Sequence, residues 1–245
     1  MDLPVWQELY SSLGRSDFEI ISVAQDSQGE QAAAKWFDDA SPAFHCVVDE
    51  THKISSLFGW VNVPSAAWID EEGRIVRTNE GAYAGEHRID AGLFSIDFGS
   101  TAFADATRDW VERGAASELV WSSDQVRAHL KPISEDTALA DPTFKLGLHF
   151  QVSGDSEKGQ RYFAEAQRLS PDNWNYHRQG WTHKGTGYAM RQWFRKTKTL
   201  RQRKGRYYDP MGLPGEPEAR VTTVDFIWTK LGRKMRGLFG GRSPS

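Results

Sequence analysis

One cysteine, Cys46, stands in a chain of 245 residues, and that scarcity excludes whole classes of chemistry. A single thiol can neither hold nor pass on an intramolecular disulfide, and it cannot build a thiolate cage for a metal. The seven histidines are scattered, with no pair at the i, i+4 spacing of a helical zinc site. No apolar run approaches the roughly 18 residues of a membrane-spanning helix. A basic start followed by an apolar stretch, the mark of a signal peptide, is missing too. The expected location is the cytoplasm, which a lone cysteine fits. Gly-rich phosphate loops and a Gly-x-Ser-x-Gly elbow are absent. Acidic pairs such as Asp38-Asp39 and Glu71-Glu72 sit at surface-like positions, where solvated turns are the ordinary outcome. No catalytic residue, cofactor site or metal site is expected.

What is present is unevenly charged. Residues 1–180 hold 15 Lys and Arg against 29 Asp and Glu, a balance of -14, while residues 181–245 hold 15 against 4, a balance of +11. Arg191, Arg195, Lys196, Lys198, Arg201, Arg203, Lys204 and Arg206 come without an acid among them, interleaved with Trp193, Phe194, Tyr207 and Tyr208. Such types suit an acidic partner or an anionic membrane surface, because phosphates pair with Arg and Lys while rings stack. A solvated face, or packing on the acidic body of the same chain, fits them as well. Trp193 and Phe194 read as packing anchors, and no sequence-specific nucleic-acid binding is expected.

The most informative stretch runs from Val61 to Val76: Val61-Asn62-Val63-Pro64-Ser65-Ala66-Ala67-Trp68-Ile69-Asp70-Glu71-Glu72-Gly73-Arg74-Ile75-Val76. Pro64 opens a strand over Ala66 to Asp70, Glu71-Glu72-Gly73 makes the turn, and Ile75-Val76 returns. The pattern V-x-V-P-S-x-x-x-I-D-x-x-G-x-I-V resembles the second half of the thioredoxin fold in TlpA-like redoxins, where the matching proline is cis and faces the reactive disulfide. The flanking order agrees: a helix over Pro4 to Leu13, a strand over Glu19 to Gln25, a helix over Gly29 to Phe37, and another over His52 to Phe58. The resemblance covers roughly Met1 to Gly81. It implies an α/β, thioredoxin-like domain over residues 1–98, with Val63 and Pro64 as the ledge on which a protein thiol or disulfide partner lays its backbone.

The resemblance also implies two absences. Redoxins carry Cys-x-x-Cys at the start of the helix that here begins the chain. That motif works because the helix N-terminus and a neighbouring thiol depress the first thiol's pKa. This sequence has no such pair. In the family, the strand before the motif lies mid-sheet, between the strands matching Glu19 to Gln25 and Ala66 to Asp70. With no residues here for it, those two strands are expected to face an empty slot of unpaired backbone. Cys46 itself lies in the apolar strand Phe44 to Asp49 and is expected to act as a small buried hydrophobe, with His45 on the opposite face.

Residues 99–208 read as helical. Ala102, Ala106, Trp110 and Val111 recur at near-helical spacing after Ser100 and Thr101, and Gly114 is placed to end that helix. Ser122 and Gln125 have the form of a capping box for a helix through Leu130. Leu146, Gly147, Phe150, Gly159, Phe163, Ala166 and Pro171 then fall at the offsets of one tetratricopeptide-like hairpin over residues 140–173. A single such unit cannot bury its apolar face alone, so it is expected to pack on the redoxin-like part and on the segment Trp174 to Phe194. Asp172 or Asn173 is the expected cap of the next helix.

Tyr207 to Pro217 holds three Pro and two Gly, which makes it a linker or an extended strap. Beyond it Val224, Ile227, Trp228, Leu231, Met235, Leu238 and Phe239 recur at helical spacing among Lys and Arg, a basic amphipathic tail closing residues 209–245. Two function classes follow. One is a redoxin-type relative of thiol-disulfide oxidoreductases, redox-inactive as it stands because the Cys-x-x-Cys is absent from this sequence. The other is a non-enzymatic binding or scaffold protein using the helical hairpin and the basic tail. A Trp-Cys-x-x-Cys in frame just before Met1 favours the first, and a stop codon without cysteines favours the second.

Overall fold

Pro4 in its first turn and Gly14 past its end bracket the first helix, α1 (Leu3–Leu13). The proline's missing N–H falls among groups that no helix satisfies, and Gly14 takes the left-handed φ of 56° that closes the helix. The computed structural model describes residues 2–90 and 95–216, and within them the chain is a mixed α/β structure. After α1 come β1 (Ile21–Ala24), α2 (Glu30–Ala40), β2 (His45–Val48) and the short α3 (Lys53–Phe58). β1 and β2 run parallel, Ile21 opposite His45 and Ala24 opposite Val48, with α2 as the crossover.

Val63 and Pro64, joined by a cis bond, lead into β3 (Ser65–Ile69), which pairs antiparallel with β4 (Ile75–Glu80). Asp70 fixes the turn between them: its carboxylate accepts from the N–H of Glu72 at 3.1 Å and of Arg74 at 2.8 Å, and Gly73 takes φ 76°. β5 (Glu86–Asp90) and β6 (Ser95–Gly99) form a further antiparallel pair. Each sheet has two strands, and among the described residues no ladder joins β1 to β3. α1 and α4 (Ala102–Arg113) reach towards both. Trp110 of α4 stacks on Trp68 of β3 at 5.0 Å and meets Phe18, just before β1, at 6.5 Å. Tyr10 of α1 packs on Phe18 and Phe44.

α4 ends at Gly114 and runs into one 3-10 turn, Gly114–Ala116. Thr101 precedes it without a side-chain cap bond. α5 (Ser123–His129) has both halves of the Ser122–Gln125 capping box. α6 (Glu135–Val152) starts earlier than the hairpin offsets indicate, because Ser134 and Thr137 form a second box. α7 (Ser156–Leu169), α8 (Trp174–Thr182) and α9 (Thr186–Gln202) follow. Asn173 caps α8, accepting from Asn175 and Tyr176.

Three groups of buried side chains hold these elements together. Trp68, Val76, Phe103 and Ala106 meet Met211 and Leu213, so residues 209–216 form a strap pinned to the first core by these two side chains. Arg77 ties the strap down. It is 2% exposed, and donates to the carbonyls of Met211 (2.5 Å) and Leu119 (2.7 Å) and to Asn79 Oδ1 (2.8 Å), its guanidinium 4.4 Å from the Trp121 ring. No carboxylate lies within ion-pair distance of it among the described residues, and burial lowers its pKa to about 10. It stays charged at neutral pH, held by oxygens and ring faces. Phe144, Phe163, Ala166 and Tyr176 make the second core, where α6, α7 and α8 meet. Leu9, Ala84 and Ala104 make the third.

β1 and β2 contribute to none of these cores. Ile21 is 67% and Val47 46% exposed, and Cys46 is half-buried, not the buried hydrophobe expected. The strand alternates as the sequence indicates, His45 outward and Cys46 inward, but a two-stranded parallel sheet without a third strand offers little cover. The helical pattern from Val224 to Phe239 lies outside the described residues.

Candidate functional site

The loop from Trp60 to Pro64 is where the separate parts of the chain converge. α8 lies along it: the Asn175 side chain donates to the Trp60 carbonyl at 3.1 Å, the Asn175 N–H to the Val61 carbonyl at 3.2 Å, and Arg178 Nη1 to the Val63 carbonyl at 3.1 Å. Ser65 Oγ donates to the Asn62 carbonyl at 2.7 Å, and the N–H groups of Gly81 and Ala82 donate to the Pro64 carbonyl at 2.7 and 3.3 Å. Tyr208 adds a second donor to the Val63 carbonyl at 2.7 Å. Every carbonyl from Trp60 to Pro64 thus has a partner within the chain, as backbone enclosed by other elements requires. On the donor side Val61 N–H reaches Glu80 Oε1 at 2.6 Å and Val63 N–H reaches Asn62 Oδ1 at 3.0 Å.

Tyrosines surround the two residues expected to form the ledge. Asn62, fully buried, donates from its amide to the Tyr207 carbonyl at 3.0 Å. The Tyr207 hydroxyl accepts from Arg178 Nη2 and, at 3.0 Å, from Trp193 Nε1. Tyr208 and Tyr83 hydroxyls lie 3.0 Å apart. Burial pushes the Tyr83 phenol up to about 12 and Tyr208 well above its ordinary value. Both stay protonated and able to donate at neutral pH. Gly81, with φ 75°, makes room for the ring: a Cβ there would come within 3.0 Å of Tyr208 Cγ.

The site therefore brings Val63 and Pro64 together with Arg178, Tyr207 and Tyr208. The aromatics were visible as part of the basic stretch, but nothing in the sequence ties them to a loop more than 140 residues earlier. Trp193 is half-buried against Tyr207, an anchor as expected. Beside the loop a groove of about 80 Å³ is lined by Phe58, Trp60, Glu80, Lys131 and Asp209, smaller than the ~300–1,000 Å³ of typical cofactor pockets. Among the described residues no cluster of His, Cys, Asp or Glu could hold a metal ion, and no helix is long and apolar enough to cross a membrane. Cys46 is remote from this chemistry in kind: burial pushes its thiol up, with Ser22 pulling weakly the other way.

A second polar cluster lies behind α3. His52 is 2% exposed, edge-on to Phe144 of α6 at 5.0 Å, with neither ring nitrogen hydrogen-bonded. Burial pushes the His52 pKa down to about 4, against the pull of Asp49, Gln179, Asp26 and Asp141. Close by, Ser27 Oγ contacts His183 Nε2 at 3.0 Å and accepts from Gln179, while Ser56 donates to Asp141.

Searches against family models, curated proteins and solved structures each found no match to the chain.

Proposed function

We propose that the chain is a redoxin-type, thioredoxin-like protein whose Val63-Pro64 loop receives an extended segment of a protein thiol or disulfide partner, and which by itself turns over no disulfide. The observation that carries this reading is the order and pairing of elements around the loop. A parallel β1–α2–β2 unit is followed by α3, a loop whose Pro64 opens β3, and the antiparallel β3–β4 pair. That is the order the resemblance implies downstream of a redox motif. Exchange needs a second thiol to resolve the mixed disulfide. Cys46 has none beside it, and its raised pKa keeps it from the thiolate form.

Two measurements test this. Dithiothreitol-driven reduction of insulin should run no faster with the protein than without it; turnover that disappears in Cys46→Ser would contradict the reading. Carboxymethylated insulin B chain, an extended peptide with no free thiol, should at millimolar concentration slow amide exchange in residues 60–66. Protection confined to the basic helix α9 would favour the scaffold reading instead.

A further inference from the structure

Residues 205–210 cross the Trp60 to Pro64 loop between two fixed points. Upstream, α9 ends at Gln202, with Lys204 in a left-handed conformation, φ 55°. Downstream, Met211 and Leu213 are buried in the first core, Arg77 holds the Met211 carbonyl, and the Glu216 carboxylate accepts from the N–H groups of Met211 (2.9 Å), Gly212 (2.8 Å) and Leu213 (3.4 Å). The span between has neither helix nor strand. Its grip on the loop is made by Tyr207 and Tyr208, while the Asp209 carboxylate lies 3.9 Å from Lys131 in the groove beside it.

Those contacts fall on the two groups that an incoming main chain would use. A carbonyl oxygen offers two lone pairs, and on Val63 both are taken, one by Tyr208 and one by Arg178. The Val63 N–H is taken by Asn62 Oδ1, and Asn62 is in turn held by the Tyr207 carbonyl. Lifting the span would vacate one lone pair on Val63 and remove the Tyr207 carbonyl that holds the Asn62 amide, leaving that side chain able to turn off the Val63 N–H. One movement thus opens a donor and an acceptor on the same residue, the pair that an extended peptide bonds when it lies alongside another strand. Gly81 lets the Tyr208 ring settle on the loop while the span is closed.

We propose that the Tyr207-Tyr208 span is a built-in cover of the Val63-Pro64 ledge, and that an extended peptide reaches Val63 only by displacing it. The inference rests on the reading of this loop as a peptide-receiving ledge. It makes binding and opening reciprocal: what favours the open span tightens the peptide, and the peptide opens the span.

The test uses the full chain and carboxymethylated insulin B chain. In Tyr207→Ala/Tyr208→Ala, with circular dichroism unchanged, the peptide should bind at least tenfold tighter than to the wild type. A backbone N-methylated copy of the peptide, unable to donate to the Val63 carbonyl, should lose that gain. In the wild type, saturating peptide should speed amide exchange in residues 205–210. Equal affinity for wild type and variant overturns the cover and leaves the ledge reading standing. Absence of binding to both overturns the ledge reading, and the cover with it. Should the double variant fail to fold, exchange in the wild type decides: bound peptide with unchanged exchange at 205–210 overturns the proposal.

Discussion

His52 carries a left-handed backbone, φ 57°, and a ring that is 2% exposed with both nitrogens unbonded. Its proton therefore has a measurable cost. The ordinary His pKa of 6.5 falls to about 4 through burial, so between those values the unfolded chain binds a proton that the folded chain refuses. Stability from this group is complete above about pH 6.5 and drains as pH falls towards 4, by on the order of 3 kcal/mol at the low end. His177, also lowered to about 4 by burial and then by Lys196, works in the same sense. Urea unfolding from pH 7.5 to 5 should show stability declining, and His52→Asn, which tolerates the left-handed backbone, should reduce the slope. An unchanged slope in the variant would contradict this account. The sequence gives no sign of His52's burial, because the walls that bury it, Phe144 and Gln179, arrive from helices far along the chain.

At the scale of elements the hairpin of α6 and α7 shows what spacing can and cannot reveal. Small residues at Gly147 and Gly159 were legible as points of close approach, and the structure gives the distance: a Cβ on Gly147 would lie 2.5 Å from Phe163 Cδ1. Ala is normally the better helix former by ~1 kcal/mol. Here the clash should reverse the sign, with Gly147→Ala costing ~1–3 kcal/mol as neighbours shift. Gly187, in the first turn of α9, has nothing within 4 Å of its Cβ position, so Gly187→Ala should stabilise by up to ~1 kcal/mol. Opposite shifts in thermal midpoint would check the pair, and a stabilising Gly147→Ala would refute the packing argument. Caps and turns were equally legible, since Ser122–Gln125, Asn173 and Gly73 act through neighbours a few residues away. The start of α6 was not, because a helix that runs through Pro142 defies the local rule. The β5–β6 hairpin gave no strong alternation to read.

Across the whole molecule the two halves of the α/β part are unequally supported. β4 carries Arg77 and Val76 into the first core, whereas β1 and β2 have half-exposed apolar side chains outside every core. Local opening follows such differences. Amides of β1 and β2 should exchange at least tenfold faster than those of β4 in native buffer, and equal protection would show that the two sheets open as one unit. The layout near the loop could be anticipated from the Val61 to Val76 pattern, but not its closure by Arg178 and Tyr208, because only tertiary structure brings those together. The strap has one more effect, on the order of events during synthesis. The hydrogen bond from Arg77 to Met211 links positions 134 residues apart, and Met211 and Leu213 complete a core otherwise built from residues before 121. At ~5–20 residues per second, a ribosome needs roughly 5–20 seconds to deliver them after Val120. Throughout that interval Trp68, Phe103 and Trp110 wait beside an unfilled place, so the first core closes only after Leu213 has left the exit tunnel, long after the strands and helix that build the rest of it.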